Sequence, residues 1–162
     1  MAATITIQAC TGTNAATEAT VTGITMRAND SAVNDTANPI VVPGSGTARS
    51  YEKWIRFKCT VAPSTQVTNF NYWGPNAIPG TGTLLFVGTT DTGVTPVVTD
   101  SSVATVQQDT THYSLATALA ITGTLVNQND ETNYIVFQMD VINTAEPGSI
   151  TQQTHNYSYD ET

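Results

Sequence analysis

The sequence predicts an all-β fold: an antiparallel β-sandwich of about 8–10 strands, with an immunoglobulin-like or a jelly-roll topology. Composition is the first observation, because 31 Thr, 15 Val and 12 Asn among 162 residues favour strands and turns over helices. Alternation is the second, since apolar and polar residues repeatedly exchange with a period of two and no segment sustains a helical apolar stripe. Turn-forming residues between the alternating segments are the third.

The alternating segments predict strands in chain order. They are residues 4–10, 19–27, 50–61, 66–73, 83–88, 95–99, 103–107, 116–126, 133–142 and 150–159. Turn residues such as Pro43-Gly44-Ser45-Gly46 and Glu146-Pro147-Gly148 separate them. The segment 133–142 shows the pattern most clearly, because positions 135, 137, 139 and 141 are Ile, Phe, Met and Val and most intervening positions are more polar.

The chain is predicted to form a single β-sandwich domain over residues 1–162, since no internal repeat or linker composition interrupts it. Its longest irregular stretch is a loop or arm at about residues 28–49, whose centre, 39–43, predicts an edge strand or an arm. Residues 130–134 resemble the Asp-x-x-x-Tyr entry to the sixth strand of immunoglobulin-like domains, in which the tyrosine hydroxyl bonds nearby backbone. An ordinary strand that begins with a buried tyrosine is the alternative.

Charge and cysteine content restrict the partners. The formal net charge is −8, and nucleic-acid binding rests on Lys and Arg that neutralise phosphates, so we expect no nucleic-acid partner. The N-terminal segment lacks the basic and apolar regions of a signal peptide, and no apolar run is long enough to span a membrane. We therefore expect synthesis in a cytoplasm and no membrane partner.

Cys10 and Cys59 are the only cysteines of the sequence and could pair, but two buried free thiols are the expectation.

The sequence contains no pattern of catalytic or metal-binding residues. His112 and His155 are the only histidines, and neither has a second ligand at metal-binding spacing. There is no Gly-x-Ser-x-Gly elbow and no phosphate-binding loop. The acidic loops 127–131 and 29–35 offer oxygens to calcium, but solvated turns explain them better. We expect no catalytic, metal or cofactor-binding residue, and a protein that is not an enzyme.

The basic residues are unevenly distributed along the chain. Arg49, Lys53, Arg56 and Lys58 fall within ten positions, and residues 59–162 contain neither Lys nor Arg but nine acids. One interpretation is a strand with a charged solvent face. The other is a basic stripe that meets an acidic surface on another copy or on a scaffold, which is favoured because soluble β-proteins guard strand edges with charges and this chain has few.

Aromatic residues supply the remaining candidates for an interface. Tyr72 and Trp73 end a predicted strand, where aromatics close a sandwich, fill a subunit interface or stack on sugar rings. His155, Tyr157 and Tyr159 lie on the last predicted strand, which has almost no aliphatics. We expect that strand at a sheet edge or against another subunit, and His155 at the surface or in an interface. With Arg49, Lys53, Arg56 and Lys58, these residues form the predicted interface.

The chain as a whole resembles the small β-sandwich virion proteins of tailed phages. The resemblance rests on a Thr/Val/Asn-rich chain without a leader, few lysines, and a Tyr-bearing last strand that ends in Tyr159-Asp160-Glu161-Thr162. It implies a homo-oligomeric capsid decoration (cement) protein of the virion, whose partners are its own copies and a major capsid protein. The alternatives are a tail or fibre component, or an extracellular glycan-binding module that uses Tyr72 and Trp73.

Overall fold

The computed structural model describes residues 2–33, 36–75, 77–99, 108–148, 150 and 152–162. Strands dominate these residues, and the prediction of an all-β, antiparallel fold is confirmed. The strands are β1 (Thr4–Thr11), β2 (Thr17–Val21), β3 (Thr47–Arg49), β4 (Lys53–Val61), β5 (Val67–Trp73), β6 (Thr83–Thr90), β7 (Gln108–Asp109), β8 (Leu119–Ile121), β9 (Tyr134–Ile142) and β10 (Asn156–Glu161). Short 3₁₀ helices cover Thr13–Ala15, Thr110–His112 and Leu115–Thr117.

In the described residues, the larger of two sheets contains seven strands: six follow the order β2-β1-β4-β9-β6-β7, and the seventh, β3, pairs with β9. Strand β9 pairs along its full length with β6 on one side, and with β4 and then β3 on the other. Paired residues of antiparallel strands point to the same side of a sheet. The pairs Ile7–Phe57, Ile55–Ile135 and Leu85–Met139 therefore share one side, which we call the inner face.

The smaller sheet has the order β10-β5-β8 and covers part of the inner face. Its residues Phe70, Tyr72 and Ile121 are buried against the larger sheet. Strand β10 lies at an edge, as the polar last strand predicts. Beyond it, the backbone of Thr162 exchanges two hydrogen bonds of 3.0 Å with Gln66, which extends the pairing with β5.

A second apolar cluster lies on the opposite side of the larger sheet, which we call the outer face. Trp54 and Tyr134 contact each other there edge to face, with ring centroids 5.3 Å apart, beside Cys10 and Val136. Loops close over this cluster, since Ala15 is fully buried in it. Gly93 fits there because a Cβ at that position would lie 2.5 Å from a carbonyl oxygen of the loop.

Several predicted strands are shorter than expected because the backbone finds other partners. The segment 19–27 leaves the sheet after Val21 and turns over the inner face, where Arg27 O accepts from Tyr51 N. The segment 95–99 is not a strand, since Val97 bonds Glu52 through both its backbone groups. Residues 103–107 lie outside the described residues.

The segment 116–126 was also predicted as one strand, and this is wrong. It begins in a 3₁₀ helix whose first turn is capped by Ser114 and Thr117, forms β8, and then continues without regular structure through residues 122–124. Leu125 returns to the smaller sheet in a two-bond bridge with Val67. Of the described residues in the segment 150–159, only those from Asn156 onward form a strand. The centre of the loop 28–49, residues 39–43, forms no strand either.

Two local predictions have clear outcomes. Cys10 and Cys59 are buried free thiols, as expected, and they lie on opposite faces of the larger sheet. The hydroxyl of Tyr134 accepts a hydrogen bond of 3.2 Å from Arg56 Nη1, so its described partner is a side chain rather than the backbone of a tyrosine corner.

Candidate functional site

Two residues of the predicted basic stripe, Arg56 and Lys58, lie on the outer face and are neutralised within the chain. Arg56 and Lys58 project from β4 toward Glu18 on β2 and Glu131 just before β9, and we call these four residues the charge cluster. Lys58 Nζ lies 2.8 Å from a carboxylate oxygen of each acid. Arg56 Nη2 lies 2.7 Å from Glu131 Oε2, and both Nε and Nη2 donate to Glu18.

Protonation in the charge cluster follows from this geometry. Burial acts to raise the pKa of Glu18, but hydrogen bonds from Lys58 and Arg56 outweigh it and hold the pKa below its ordinary value. Hydrogen bonds to Glu131 and Glu18 raise the pKa of Lys58. The prediction of an unpaired basic stripe is therefore wrong for these two residues. Sequence spacing does not show the pairs, because Glu18 meets Arg56 only through the register of β2, β1 and β4.

The other two basic candidates are also occupied. Lys53 lies on the inner face and is only 5% exposed, and its ammonium donates to the carbonyls of Asn29 and Ser31 at 2.8 and 3.1 Å. Burial lowers the pKa of Lys53 to about 8. Arg49 pairs with Asp140 at 3.0 Å. Lys53 is consequently not a surface residue, which corrects its place in the predicted interface.

Tyr72, which is buried, and His155, which is partly buried, form a pair between the two sheets. Tyr72 has no exposed surface, and its hydroxyl lies 2.9 Å from His155 Nδ1. The two rings stack, and both contact Phe137 of the larger sheet. Burial lowers the pKa of His155 to about 4, so the imidazole is neutral at physiological pH. His155 is therefore partly buried rather than on the open surface, its place in an interface stays a prediction, and Tyr72 presents no face to a sugar.

The remaining aromatic candidates differ in exposure. Tyr157 packs on Phe57 and Tyr72 and is largely within the core, whereas Tyr159 is 43% exposed and leans on Phe70. Trp73 is partly exposed at the end of β5. Among these aromatics, Tyr159 is exposed, Trp73 and Tyr157 are partly exposed, and Tyr72 is buried.

A cavity of about 620 Å³ opens between the two layers, beside the smaller sheet. Its floor is the inner face of the larger sheet, and its walls are the segment that follows β2 and the segment that leads into β10. Its described lining is Ile7, Val21, Thr22, Gly23, Ile24, Thr25, Met26, Ile55, Pro79, Leu85, Phe137, Met139, Ile150, Gln152, Gln153, Thr154, His155 and Tyr157. Sequence reasoning missed this feature, because it depends on how the two walls cross the inner face.

Two strand edges complete the candidate surfaces. In the part of the chain that the structure describes, β2 and β8 each pair on one side only. Neither strand contains Lys, Arg or Pro, and the one charged residue of β2, Glu18, is held on the outer face by Arg56 and Lys58. Strand β10, by contrast, carries exposed Asp160 and Glu161. The edges of β2 and β8 therefore lack the charged residues that discourage strand addition.

The described residues hold no group of three or more His, Cys, Asp or Glu side chains that could bind a metal ion. In the acidic loop 127–131, the carboxylate of Asp130 accepts from the backbone N–H groups of Val126 and Asn127, which lowers its pKa. No helix in these ranges is long and apolar enough to cross a membrane.

The architecture is that of a β-sandwich protein. Comparisons with family models, curated proteins and solved structures find no match to the chain.

Proposed function

We propose that this chain is a structural virion protein of the capsid decoration type, which stabilises a shell through contacts with its own copies and with a major capsid protein. The observation that carries the proposal is the pair of unguarded strand edges, β2 and β8. An exposed edge is a template for pairing with another chain, and soluble monomers normally block it with charge, proline or a covering loop. Here both edges are available for strand pairing across subunits.

Exposed aliphatic side chains support the same proposal. Val33, Val41 and Leu115 are 60%, 75% and 73% exposed, and all three lie in loops or short helices rather than in the sheets. Single exposed aliphatics are common on soluble proteins, so their weight comes from their occurrence beside so few charges. Only 11% of the residues are charged, which leaves a surface of uncharged polar and apolar groups suited to burial in an assembly.

Net charge sets the conditions under which copies associate. At −8 the chains repel one another, and no free basic stripe exists in the charge cluster to offset this repulsion. Contacts through uncharged edges therefore strengthen as salt screens the repulsion. This is the opposite of the salt dependence expected for a basic stripe that binds an acidic surface.

The virion role is tested in particles. Particles are purified on density gradients from cells that carry the gene, and quantitative mass spectrometry asks whether the chain co-migrates with a major capsid protein in a fixed ratio. A fixed ratio to the capsid protein is the expected result. Co-migration with isolated tails would place the chain in a tail or fibre, and absence from all particle fractions would overturn the proposal.

The edges are tested with charge-inserting variants. Thr20→Lys on β2 and Ala120→Lys on β8 each place a cation at an exposed edge position, and Thr65→Lys makes the same change in an exposed loop. Light scattering after size exclusion in high salt is expected to show oligomers for the wild type and Thr65→Lys. At least one edge variant is expected to shift toward monomer. If all three variants have the molar mass of the wild type, the edges are excluded as contacts.

A further inference from the structure

The cavity between the layers has the composition of a small-molecule site. Its volume of about 620 Å³ lies within the range of roughly 300–1,000 Å³ that is typical of ligand pockets. Five residues of four strands of the larger sheet form an apolar floor: Ile7, Ile55, Leu85, Phe137 and Met139. Ile24 and Met26 add apolar side chains from the wall that follows β2.

The opposite wall is polar, and its groups have unused hydrogen-bonding capacity. Gln153 Nε2 donates to Ala77 O at 2.8 Å, but the buried Oε1 of the same side chain has no hydrogen-bond partner in the described structure. The ring of Tyr157 is held by Phe57 and Tyr72, while its hydroxyl makes no hydrogen bond within the described residues. His155 uses Nδ1 for Tyr72 and keeps its second ring nitrogen. Three hydrogen-bonding groups therefore lie along one wall.

Charge is absent from the described lining. Its polar residues are Thr, Gln, Tyr and a histidine that is neutral at physiological pH. Lys53 lies on the same face, but its ammonium is engaged by the carbonyls of Asn29 and Ser31. An ionised ligand would lose its hydration in this cavity without gaining a counterion, which costs several kcal/mol at least. A neutral ligand avoids that cost.

We propose that this cavity binds a neutral, largely apolar small molecule with one hydrogen-bonding end, which faces the wall formed by Gln153, His155 and Tyr157. The apolar body covers the floor of Leu85, Phe137 and the neighbouring aliphatics. This site goes beyond the structural role proposed above. It is tested on the isolated chain, so that its failure leaves the virion proposal standing.

The first experiment compares head groups on one alkyl chain. Displacement of the neutral dye Nile red is titrated with 1-decanol below its solubility limit in water, and with decanoate and decylammonium below their critical micelle concentrations. Decanol is expected to displace the dye and to bind at least about tenfold more tightly than either ion, because only the ions lose hydration without a counterion. Equal affinities for the three compounds, or no displacement by decanol, would overturn the proposal.

The second experiment fills the cavity. Val21 lines the cavity at the end of β2, and Val61 ends β4 away from it, so Val21→Phe and Val61→Phe form a matched pair. Val21→Phe is expected to weaken decanol binding about tenfold or more because the added ring occupies ligand space, and Val61→Phe to leave it unchanged. Equal binding by both folded variants would show that the ligand lies elsewhere.

The third experiment removes one hydroxyl and keeps the ring. Tyr157→Phe is expected to weaken decanol about three- to tenfold, which corresponds to one hydrogen bond, and to leave decane binding unchanged. Tyr159→Phe on the same strand is the control, because Tyr159 does not line the cavity. Equal decanol affinity in both variants would exclude Tyr157 as the polar contact. A change of oligomer mass in Val21→Phe without any decanol binding would identify an interface between copies and overturn the ligand site.

Discussion

The two faces of the larger sheet are closed in different ways. The inner face is covered by the smaller sheet and by two crossing segments, which leave an uncharged cavity between them. The outer face is covered by loops over Trp54 and Tyr134, and beside them the charge cluster pairs every one of its ions. Charge is thus concentrated on one face and absent from the described lining of the cavity on the other. In the part of the chain that the structure describes, Arg56 and Lys58 are paired and Lys53 is buried, which leaves the strand edges as the surfaces for the association that we propose.

The largest expected effect tests whether the outer face is a true second core. Trp54→Ala and Phe57→Ala remove buried rings from the outer and inner faces of the same strand. Each is expected to lower the free energy of unfolding by about 3–5 kcal/mol, because the loss of a buried aromatic leaves a cavity. Urea unfolding measures both. A cost near zero for Trp54→Ala would mean that the loops do not close the outer face.

Acid should weaken the inner face through His155. The pKa of this imidazole is about 4 in the folded chain and 6.5 in the unfolded chain, so only the unfolded state gains the proton between these values. The contribution of His155 to the free energy of unfolding is complete above pH 6.5 and falls by about 3 kcal/mol as the pH approaches 4. Across this pH window, the free energy of unfolding should depend less steeply on pH in His155→Gln than in the wild type. The exposed His112→Gln is the control, and an unchanged slope in His155→Gln would contradict the buried Tyr72–His155 pair.

Breaking the charge cluster should cost less. Arg56→Met leaves Glu18 and Glu131 with Lys58 alone, and we expect a loss of about 1–3 kcal/mol in the free energy of unfolding, since the cluster is only partly exposed. Arg49→Met removes the ion pair with Asp140, a partly exposed pair outside the charge cluster, and should cost less than about 1 kcal/mol. Denaturant unfolding compares them. Equal small costs would mean that the charge cluster contributes no more than a surface pair.

The smallest expected signal is the reactivity of the two thiols, one on each face. Burial raises the pKa of Cys10 to about 12 and also raises that of Cys59, so neither is a thiolate at mildly alkaline pH. We expect almost no reaction with an aromatic disulfide reagent in the native chain and two reacting thiols after unfolding. Rapid labelling of Cys10 alone would show that the outer face opens.

Sequence patterns predicted the elements that are governed by local alternation. β9 and β4 emerge within a few residues of their predicted bounds, because period-two patterning records which side chains are buried. The segment 95–99 is also rich in β-branched residues, yet the backbone of its Val97 bonds Glu52 instead of a neighbouring strand. Local pattern does not distinguish these outcomes.

The candidate surfaces depend on long-range register, which no local pattern contains. Arg56 and Glu18 are 38 positions apart and meet through two strand pairings. Lys53 was placed with the basic stripe, but alternation along β4 puts it on the opposite face from Arg56 and under the segment that contains Asn29. Tyr72 is buried because β10 brings His155 and Tyr157 over its ring. For the edges of β2 and β8, the sequence indicates only that lysine is scarce, and it does not indicate which strands lie at an edge.

Hydrogen–deuterium exchange at low and high protein concentration tests the central claim most directly, since it reports which amides become protected when copies associate. The account predicts concentration-dependent protection in peptides that cover β2 and β8, strengthened by salt, and no change in peptides of β4 that cover Arg56 and Lys58. Protection of the β4 peptides that salt abolishes, or no concentration dependence anywhere, would contradict it.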